Sequence, residues 1–391
     1  AYVGVAGGVI GNDGALTVAS TGPVTAGYVG IAGLAIGNGN SLAISASDAT
    51  GTAGVGVVGA LIGDGNSGAI DTTGNVAGAY VGVAALAIGD GNQFGVTTGG
   101  TVTGDYVGVA GAAIGNGNTL DISTAAVTAT SGVGVIGVLI GAGNSGSIET
   151  AGTVTGQYLG IGGAIIGGGS QLSIAASGMA TGQYLGVGGL AIGDNNRLSI
   201  ETGAASGAEG LGVLGLSIGN DSVLDVTTQG AVTGRYAGVG ALEIGNRASV
   251  NVVANGPVTS TEGVGVVGAA IGTYTALNIT TGDVSAPLIG VVGASIGNGF
   301  ANIDVNGTVQ ADAVGVYAVK LGDGDVSVNV DGAIGGLTGA GTNFEGVFVF
   351  NSTGDGLASV STGASASIVS DLDAIAILKQ DSDSFDGTAI S

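Results

Sequence analysis

The residues of this chain that offer the most chemistry are its carboxylates, since it has 28 Asp and Glu, five Lys and Arg, and no His. Two facing carboxylates suffice for a glycoside hydrolase. A lyase would also need a base and a cation beside the scissile bond, which five scattered Lys and Arg supply poorly. Five carboxylates fall on predicted outward strand positions of different repeats, so we expect solvated surface charge. They are Asp71, Asp121, Glu149, Glu201 and Asp225.

Two other patterns resemble ligand sites. The run from Gly54 to Gly59 matches a dinucleotide fingerprint, but the pattern alone is weak and no helix is predicted to follow it. Turns such as Asp323-Gly324-Asp325 carry hard oxygen ligands for calcium, yet this turn recurs once per repeat and is mostly Asn. We expect no cofactor, with calcium kept as an alternative in the acidic C-terminal region. That region contains Asp371, Asp373, Asp381, Asp383 and Asp386.

The composition excludes several classes of protein. A net charge of −23 rules out the cationic groove that nucleic acid requires. Residues 150–193 carry no charge, but Gly, Ser, Thr and Gln interrupt them too often for a membrane-spanning helix. We expect no membrane insertion of this segment. Only 8% of residues are charged and the mean hydropathy is +0.59, so disorder is not expected.

Internal repetition indicates the fold. A glycine in a Tyr-Val-Gly-Val motif recurs at a spacing of 26 residues for nine steps, and then of 27, 25 and 25. Dense Gly with Val, Ile and Thr disfavours helix and suits strands and turns. We predict an all-β, parallel β-solenoid (β-helix) with about 13 regular coils, right-handed by the usual preference of parallel crossovers. The glycines are Gly4, Gly30, Gly56, Gly82, Gly108, Gly134, Gly160, Gly186, Gly212, Gly238, Gly265, Gly290 and Gly315.

One repeat predicts three short strands and a return. In residues 28–54, Val29 and Ile31 are expected to point inward, residues 34–36 to form a second strand, residues 38–40 to turn, and residues 42–44 to form a third strand. After about residue 325 the repeat loosens. We therefore divide the chain into regular coils at 1–325 and irregular acidic coils or a cap at 326–391, with an insertion loop at 332–343 and further strands at 347–350 and 374–378.

Polar columns run through the repeats. Stacked Asn side chains at the turn are expected to form a hydrogen-bonded ladder. A Thr column is expected to point inward or lie at a turn, whereas ice binding would need a flat outward Thr array. The turn column is Asn12, Asn38, Asp64, Asp90, Asn116, Asp194, Asn220, Asn246 and Asn298. The Thr column is Thr72, Thr98, Thr124, Thr150, Thr202, Thr228 and Thr281.

A longer period of 78 residues lies above the first. Two residues before the motif glycine, two tyrosines alternate with one glycine, and the residue two after it is small beside Tyr and larger beside Gly. We expect each ring to cover a small neighbour. We also expect Tyr28, Gly30 and Ala32 to share a face opposite Val29 and Ile31, so that the strand is apolar on both sides. Four interpretations stay open: a covering segment of the chain, a Gly-rich face that is simply exposed, self-association, or a ligand surface. The candidate self-association face comprises Tyr2, Tyr28, Tyr80, Tyr106, Tyr158, Tyr184, Tyr236, Gly30, Gly82 and Gly108.

Repeats such as YVGVAGLAIGNGNSLAIS at 28–45 resemble the passenger regions of secreted bacterial adhesins, namely autotransporter and filamentous-haemagglutinin-like proteins. In general character the chain also resembles holdfast-anchoring surface adhesins of stalked bacteria. The resemblance covers roughly residues 1–325 and implies a location at the bacterial cell surface. It also implies a role in attachment, biofilm or extracellular matrix assembly. The chain begins at Ala1, in phase with the repeat and without a visible signal peptide, so we expect a processed or trimmed product.

We therefore expect a secreted structural or adhesive rod that is not an enzyme. Expected partners are copies of itself, other surface or matrix proteins, or polysaccharide. The alternatives are a carbohydrate-active β-helix enzyme, which predicts a cleft with two carboxylates on adjacent coils, and a viral fibre or tailspike segment, which predicts three-fold association.

Overall fold

The chain is an all-β parallel β-solenoid with about 26 residues per turn and about 14 turns, which confirms the predicted fold class. The computed structural model describes residues 1–339, 341–352 and 356–380, together with the backbone of 388–390. The chain divides into two compact units, Ala1–Asn196 and Arg197–Ser391. We call them the first and the second unit.

The first unit contains strands β1 to β19. In chain order they are β1 Val3–Ile10, β2 Ala15–Ser20, β3 Val24–Ala26, β4 Val29–Ile36, β5 Ser41–Ala46, β6 Ala49–Gly51, β7 Val55–Ile62, β8 Ser67–Thr72, β9 Val76–Gly78, β10 Val81–Ile88, β11 Gln93–Gly104, β12 Val107–Ile114, β13 Thr119–Ala129, β14 Val133–Ile140, β15 Ser145–Thr150, β16 Val154–Gly156, β17 Leu159–Ile166, β18 Gln171–Gly182 and β19 Leu185–Ile192.

The second unit contains strands β20 to β40. They are β20 Arg197–Gly207, β21 Leu211–Ile218, β22 Val223–Thr228, β23 Val232–Gly234, β24 Ala237–Ile244, β25 Ser249–Ala254, β26 Val258–Ser260, β27 Val264–Ile271, β28 Thr275–Thr281, β29 Val284–Ala286, β30 Ile289–Ile296, β31 Gly299–Val305, β32 Thr308–Ala311, β33 Val314–Leu321, β34 Val326–Val330, β35 Ala333–Gly335, β36 Val347–Ser352, β37 Ala358–Thr362, β38 Ser367–Ile368, β39 Ile375–Gln380 and β40 Thr388–Ile390.

Each coil of the first unit supplies one long strand to a first sheet. The eight strands β1, β4, β7, β10, β12, β14, β17 and β19 pair in parallel in that order, each in register with its copy one repeat later, as in Val29↔Val55. A second sheet and a row of short strands complete the coil. In β11, β13 and β18 the second-sheet strand and the short strand form one continuous run.

The second unit repeats this plan. Its first sheet runs β21, β24, β27, β30, β33, β36, β39, so the strands predicted near 347–350 and 374–378 are confirmed as β36 and β39. The predicted insertion loop is corrected at its start, because Ala333–Gly335 is a strand paired with β32. Among the described residues no helix has the length and hydropathy needed to cross a bilayer.

The predicted strand boundaries within a coil are wrong. Val29–Ile36 is one continuous strand and not two, and the return contains a short strand, Ala49–Gly51. Gly33 lies within this continuous strand, where the absence of a side chain leaves room for core residues of the second sheet. A Cβ at Gly33 would lie 2.8 Å from the Cδ1 atoms of both Leu42 and Ile44.

The core is a stack of aliphatic columns. Ile31, Val57 and Val83 occupy one column of the first sheet and Ile44 and Ile70 one column of the second, and all five are at most 1% exposed. Each fully buried aliphatic side chain of this size stabilises the fold by roughly 1.5–3 kcal/mol. In-register stacking therefore lets every coil bury the same columns as its neighbours.

Candidate functional site

The tyrosines form a row just before the first-sheet strands. Backbone hydrogen bonds join consecutive members across coils: the N–H of Tyr28 donates to the carbonyl of Tyr2 at 2.8 Å, and the N–H of Tyr106 donates to that of Tyr80 at 3.0 Å. Because these residues lie at equal positions of successive coils, their rings project side by side.

The rings stack in pairs and stay open to solvent. Their centroids are 4.5 Å apart for Tyr2 and Tyr28, 5.6 Å for Tyr80 and Tyr106, and 5.9 Å for Tyr158 and Tyr184, with interplanar angles of 19°, 13° and 8°. Within the last two pairs each residue is between 50% and 56% exposed. Tyr236, in the second unit, stands under the guanidinium of Arg235 at 5.3 Å instead.

Glycines separate the pairs for a steric reason. A Cβ at Gly54 would lie 2.3 Å from the carbonyl oxygen of Tyr28, and one at Gly132 would lie 2.0 Å from that of Tyr106. These backbones leave no space for any side chain. The row of the first unit therefore consists of tyrosine pairs, each followed by a gap one coil wide.

The three glycines of the candidate face do not lie on it, which corrects the sequence interpretation. A Cβ at Gly82 would lie 2.3 Å from Cγ1 of Val102, one at Gly108 would lie 2.1 Å from Cγ1 of Val127, and one at Gly30 would lie 2.5 Å from the carbonyl oxygen of Gly56. All three are buried. Gly30 and the next residue, Ile31, are both buried, so strict alternation fails there.

The outward residues of the first sheet are consequently different from those expected. In β4 they are Val29, Ala32, Leu34 and Ile36, all partly exposed, whereas Gly30 and Ile31 are buried. We call the first, fourth, sixth and eighth residues of the eight first-sheet strands in the first unit the outer face. None of its residues is charged. The expectation that the strand is apolar on both sides is therefore confirmed with a different set of side chains.

The prediction that each tyrosine ring covers a small neighbour is also wrong at Gly162 and Gly188. A Cβ at Gly162 would lie 2.7 Å from Cδ2 of Leu159, and one at Gly188 would lie 2.6 Å from Cδ2 of Leu185. The leucine at the first position of each strand, and not the tyrosine, fills the space beside these glycines. The tyrosine rings thus remain available for other contacts.

Two ladders secure the turn between the first and second sheets. In the predicted one, each side chain accepts from the backbone N–H one coil later, as in Asp64 N–H to Oδ1 of Asn38 at 2.8 Å. Asn38 itself donates its N–H to Oδ1 of Asn12 at 2.9 Å. The turn requires a φ of +69° at residue 39, and Gly39 adopts it without strain because it has no Cβ.

The second ladder is buried and was missed from the sequence. The N–H of Asn66 donates to Oδ1 of Asn92, and the N–H of Asn92 donates to Oδ1 of Asn118, each at 2.8 Å. Its polarity is opposite to that of the first ladder. The signal was present, because this column recurs with the same period of 26 residues. Its members are Asn40, Asn66, Asn92, Asn118, Asn144, Ser170 and Asn196.

The Thr column is buried, which confirms its predicted inward position. A second, partly or fully exposed Thr row on the short strands was missed. It comprises Thr25, Thr50, Thr103, Thr128, Thr155 and Thr181.

The candidate catalytic carboxylates lie on the outer side of the second sheet, on five different strands. The register sets Glu149 one strand and two residues away from Asp121, and it sets Glu201 likewise relative to Asp225. Asp121 accepts a hydrogen bond from the Ser147 hydroxyl at 2.6 Å. Asp225 pairs with Arg197 and accepts from Nδ2 of Asn251 at 2.8 Å. Both arrangements solvate or pair surface charge. A cavity of about 310 Å³ lies elsewhere, between Pro257 and Gln310.

The second unit buries two ionisable groups in one inward column of its first sheet. Glu243 is 0% exposed, neither carboxyl oxygen has a hydrogen-bond partner, and burial raises its pKa to about 7, opposed by the neighbouring Ser217 hydroxyl. Lys320 is also 0% exposed, and its Nζ donates to the carbonyl of Gly297. Burial lowers the pKa of Lys320, and Asp323 opposes that change. The two groups stand three strands apart.

No three Asp or Glu side chains in the described part of the chain gather as a metal ion would require. Asp381, Asp383 and Asp386, part of the acidic end considered for calcium, lie outside the described residues. No known protein family, characterised protein or solved structure matches the chain.

Proposed function

We propose that this chain is an extracellular structural and adhesive protein of the bacterial cell surface, with no catalytic role. One observation carries the proposal: stacked, half-exposed tyrosine pairs recur every three coils along a stable stack. Tyrosine joins an apolar ring to a polar tip, which suits contacts with apolar, protein and carbohydrate surfaces.

Repetition would convert weak contacts into firm attachment. A single exposed aromatic contact is worth on the order of 1 kcal/mol. Several pairs fixed on one solenoid engage a surface together, because binding of the first raises the effective concentration of the others. A rigid stack holds their spacing constant, so little conformational entropy is lost on binding.

The partners proposed for the row are surface or matrix proteins, polysaccharide, or further copies of the chain. The repeat composition supports this assignment through its resemblance to adhesin passenger regions. Ser147 and Arg197 engage Asp121 and Asp225 as surface groups, which favours a structural role over the carbohydrate-active enzyme alternative.

The test is adsorption of the purified chain to polystyrene and to cellulose films, followed by quartz-crystal microbalance. A Tyr80→Asp, Tyr106→Asp variant removes one stacked pair and adds two charges, so we expect retention after washing to fall several-fold. The matched control is Thr103→Asp, Thr128→Asp, which adds the same charges to the short strands. Equal retention of wild type and tyrosine variant on both films would overturn the tyrosine row as the attachment surface.

A further inference from the structure

We propose that the outer face of the first unit binds a second copy of this chain, face to face and antiparallel, about a two-fold axis between β10 and β12. The inference rests on the proposed structural role and names the partner for assembly. Its tests change residues of the sheet face and leave the tyrosine row unchanged, so this inference and the proposed function can fail separately.

The area of the face suits a stable dimer. Eight strands about 4.8 Å apart, each of eight residues at about 3.3 Å, present roughly 1,000 Å². Two copies would therefore bury roughly 2,000 Å², within the range of obligate homodimers. A monomer seldom exposes an uncharged apolar patch larger than about 600 Å².

The alternation of large and small side chains on the face indicates a second copy as the partner. The sixth residues of the strands alternate in size from one coil to the next in the observed register. The large ones are Leu34, Leu86, Val138 and Leu190. The small ones are Gly8, Ala60, Ala112 and Ala164. Knobs and holes thus share one spacing of about 9.6 Å, which lets two such faces interdigitate as in a dry sheet-to-sheet zipper.

Among the sixth residues, the two-fold axis between β10 and β12 pairs every knob with a hole. It places Leu86 of one copy over Ala112 of the other, and Leu34 over Ala164. Among the fourth residues it sets Val58 over Ile136, so the complementarity of the face lies in the sixth column. An axis centred on a single strand would place like upon like. A closed, isologous contact follows, in which the same patch serves both copies.

The edges of the face agree with the same axis. At the turn edge it sets Asp64 opposite Ala142 and Asp90 opposite Asn116, so no carboxylate meets a carboxylate. At the other edge, tyrosine coils meet tyrosine coils and the Gly54 coil meets the coil of Gly132. A chain of net charge −23 repels its copies elsewhere, and this uncharged face is where that repulsion is least.

The first experiment measures the oligomeric state of the whole chain by sedimentation velocity. We expect a dimer for wild type, and for Leu86→Asp a dissociation constant at least about 100-fold higher, because each dimer would bury two unpaired carboxylates. Thr97→Asp adds the same charge in the same coil on the outer side of the second sheet, and it should remain dimeric. Circular dichroism confirms that each variant keeps its strands. A monomeric wild type, or a Leu86→Asp variant as dimeric as Thr97→Asp, would overturn the proposal.

The second experiment tests the antiparallel direction, using the absence of native Cys. Ile10→Cys and Ile192→Cys lie on the first and last strands of the face and are 82% and 39% exposed in the wild type. A short bismaleimide should join the two variants when mixed, and it should not join Ile10→Cys to itself, since those residues would stand about 34 Å apart along the stack. Self-joining of Ile10→Cys would refute the axis. A monomer that still adsorbs through its tyrosines would sink this inference and leave the proposed function standing.

Discussion

Replacing Glu243 by Gln should stabilise the second unit above neutral pH. The carboxyl is fully buried without a hydrogen-bond partner, and its pKa is raised from 4.5 to about 7. Below pH 4.5 the group is protonated in both states, so its ionisation does not change the stability. Between pH 4.5 and 7 the unfolded chain alone ionises, so stability falls as pH rises and levels off above 7. The difference between the two pKa values corresponds to roughly 3 kcal/mol.

Hydrogen exchange with mass spectrometry over β24 measures this effect locally. At pH 8 the opening constant of the wild-type coil should exceed that of Glu243→Gln by up to about 300-fold, and at pH 4 the two should agree. Glu201→Gln replaces an exposed carboxylate of the same unit and should leave the exchange of β24 at the wild-type level. A difference between wild type and Glu243→Gln that stays constant from pH 4 to pH 8 would refute the assignment of a buried, neutral carboxyl.

Two further predictions concern the stack itself, both measured by chemical unfolding. Gly33→Ala should lower the free energy of unfolding by about 1–3 kcal/mol, because the added Cβ would lie 2.8 Å from Cδ1 of Ile44. Gly95→Ala, where nothing lies within 4 Å of the added Cβ, should leave the free energy of unfolding unchanged or raise it. Equal losses in the two variants would contradict the packing argument. Asn92→Ala should lower the free energy of unfolding by about 1–3 kcal/mol, because it leaves the buried backbone N–H of Asn66 without an acceptor. Asn116→Ala, at an exposed position of the other ladder, should lower it clearly less. The reverse order would contradict the role of the buried ladder.

The period of 26 residues was sufficient to predict the solenoid, because identical columns stack only in register. The direction of individual side chains was not predictable from alternation alone. Gly30 and Ile31 are both buried although they are consecutive, and Gly33 serves packing in the middle of a strand where the sequence suggested a break. Both glycines look alike in the sequence, because each function requires only the absence of a side chain.

The buried polar groups show a second feature that was not predicted from the sequence. Asn92 belongs to a column that the repeat displays openly, but its inward direction depends on turn geometry that the sequence does not specify. Glu243 occupies the column that holds Val9 and Ala35 in the first unit, so comparison of columns would have found it. The recurrence of the tyrosines was visible in the sequence, whereas the gaps at Gly54 and Gly132 needed the backbone to explain them.

The most direct test of assembly through an apolar face is negative-stain electron microscopy of the purified chain with and without EDTA. The account predicts paired particles that persist in EDTA, because the contact is hydrophobic and needs no metal. Single particles under both conditions would contradict assembly through this face, and assemblies that dissolve in EDTA would show that a divalent cation holds them instead.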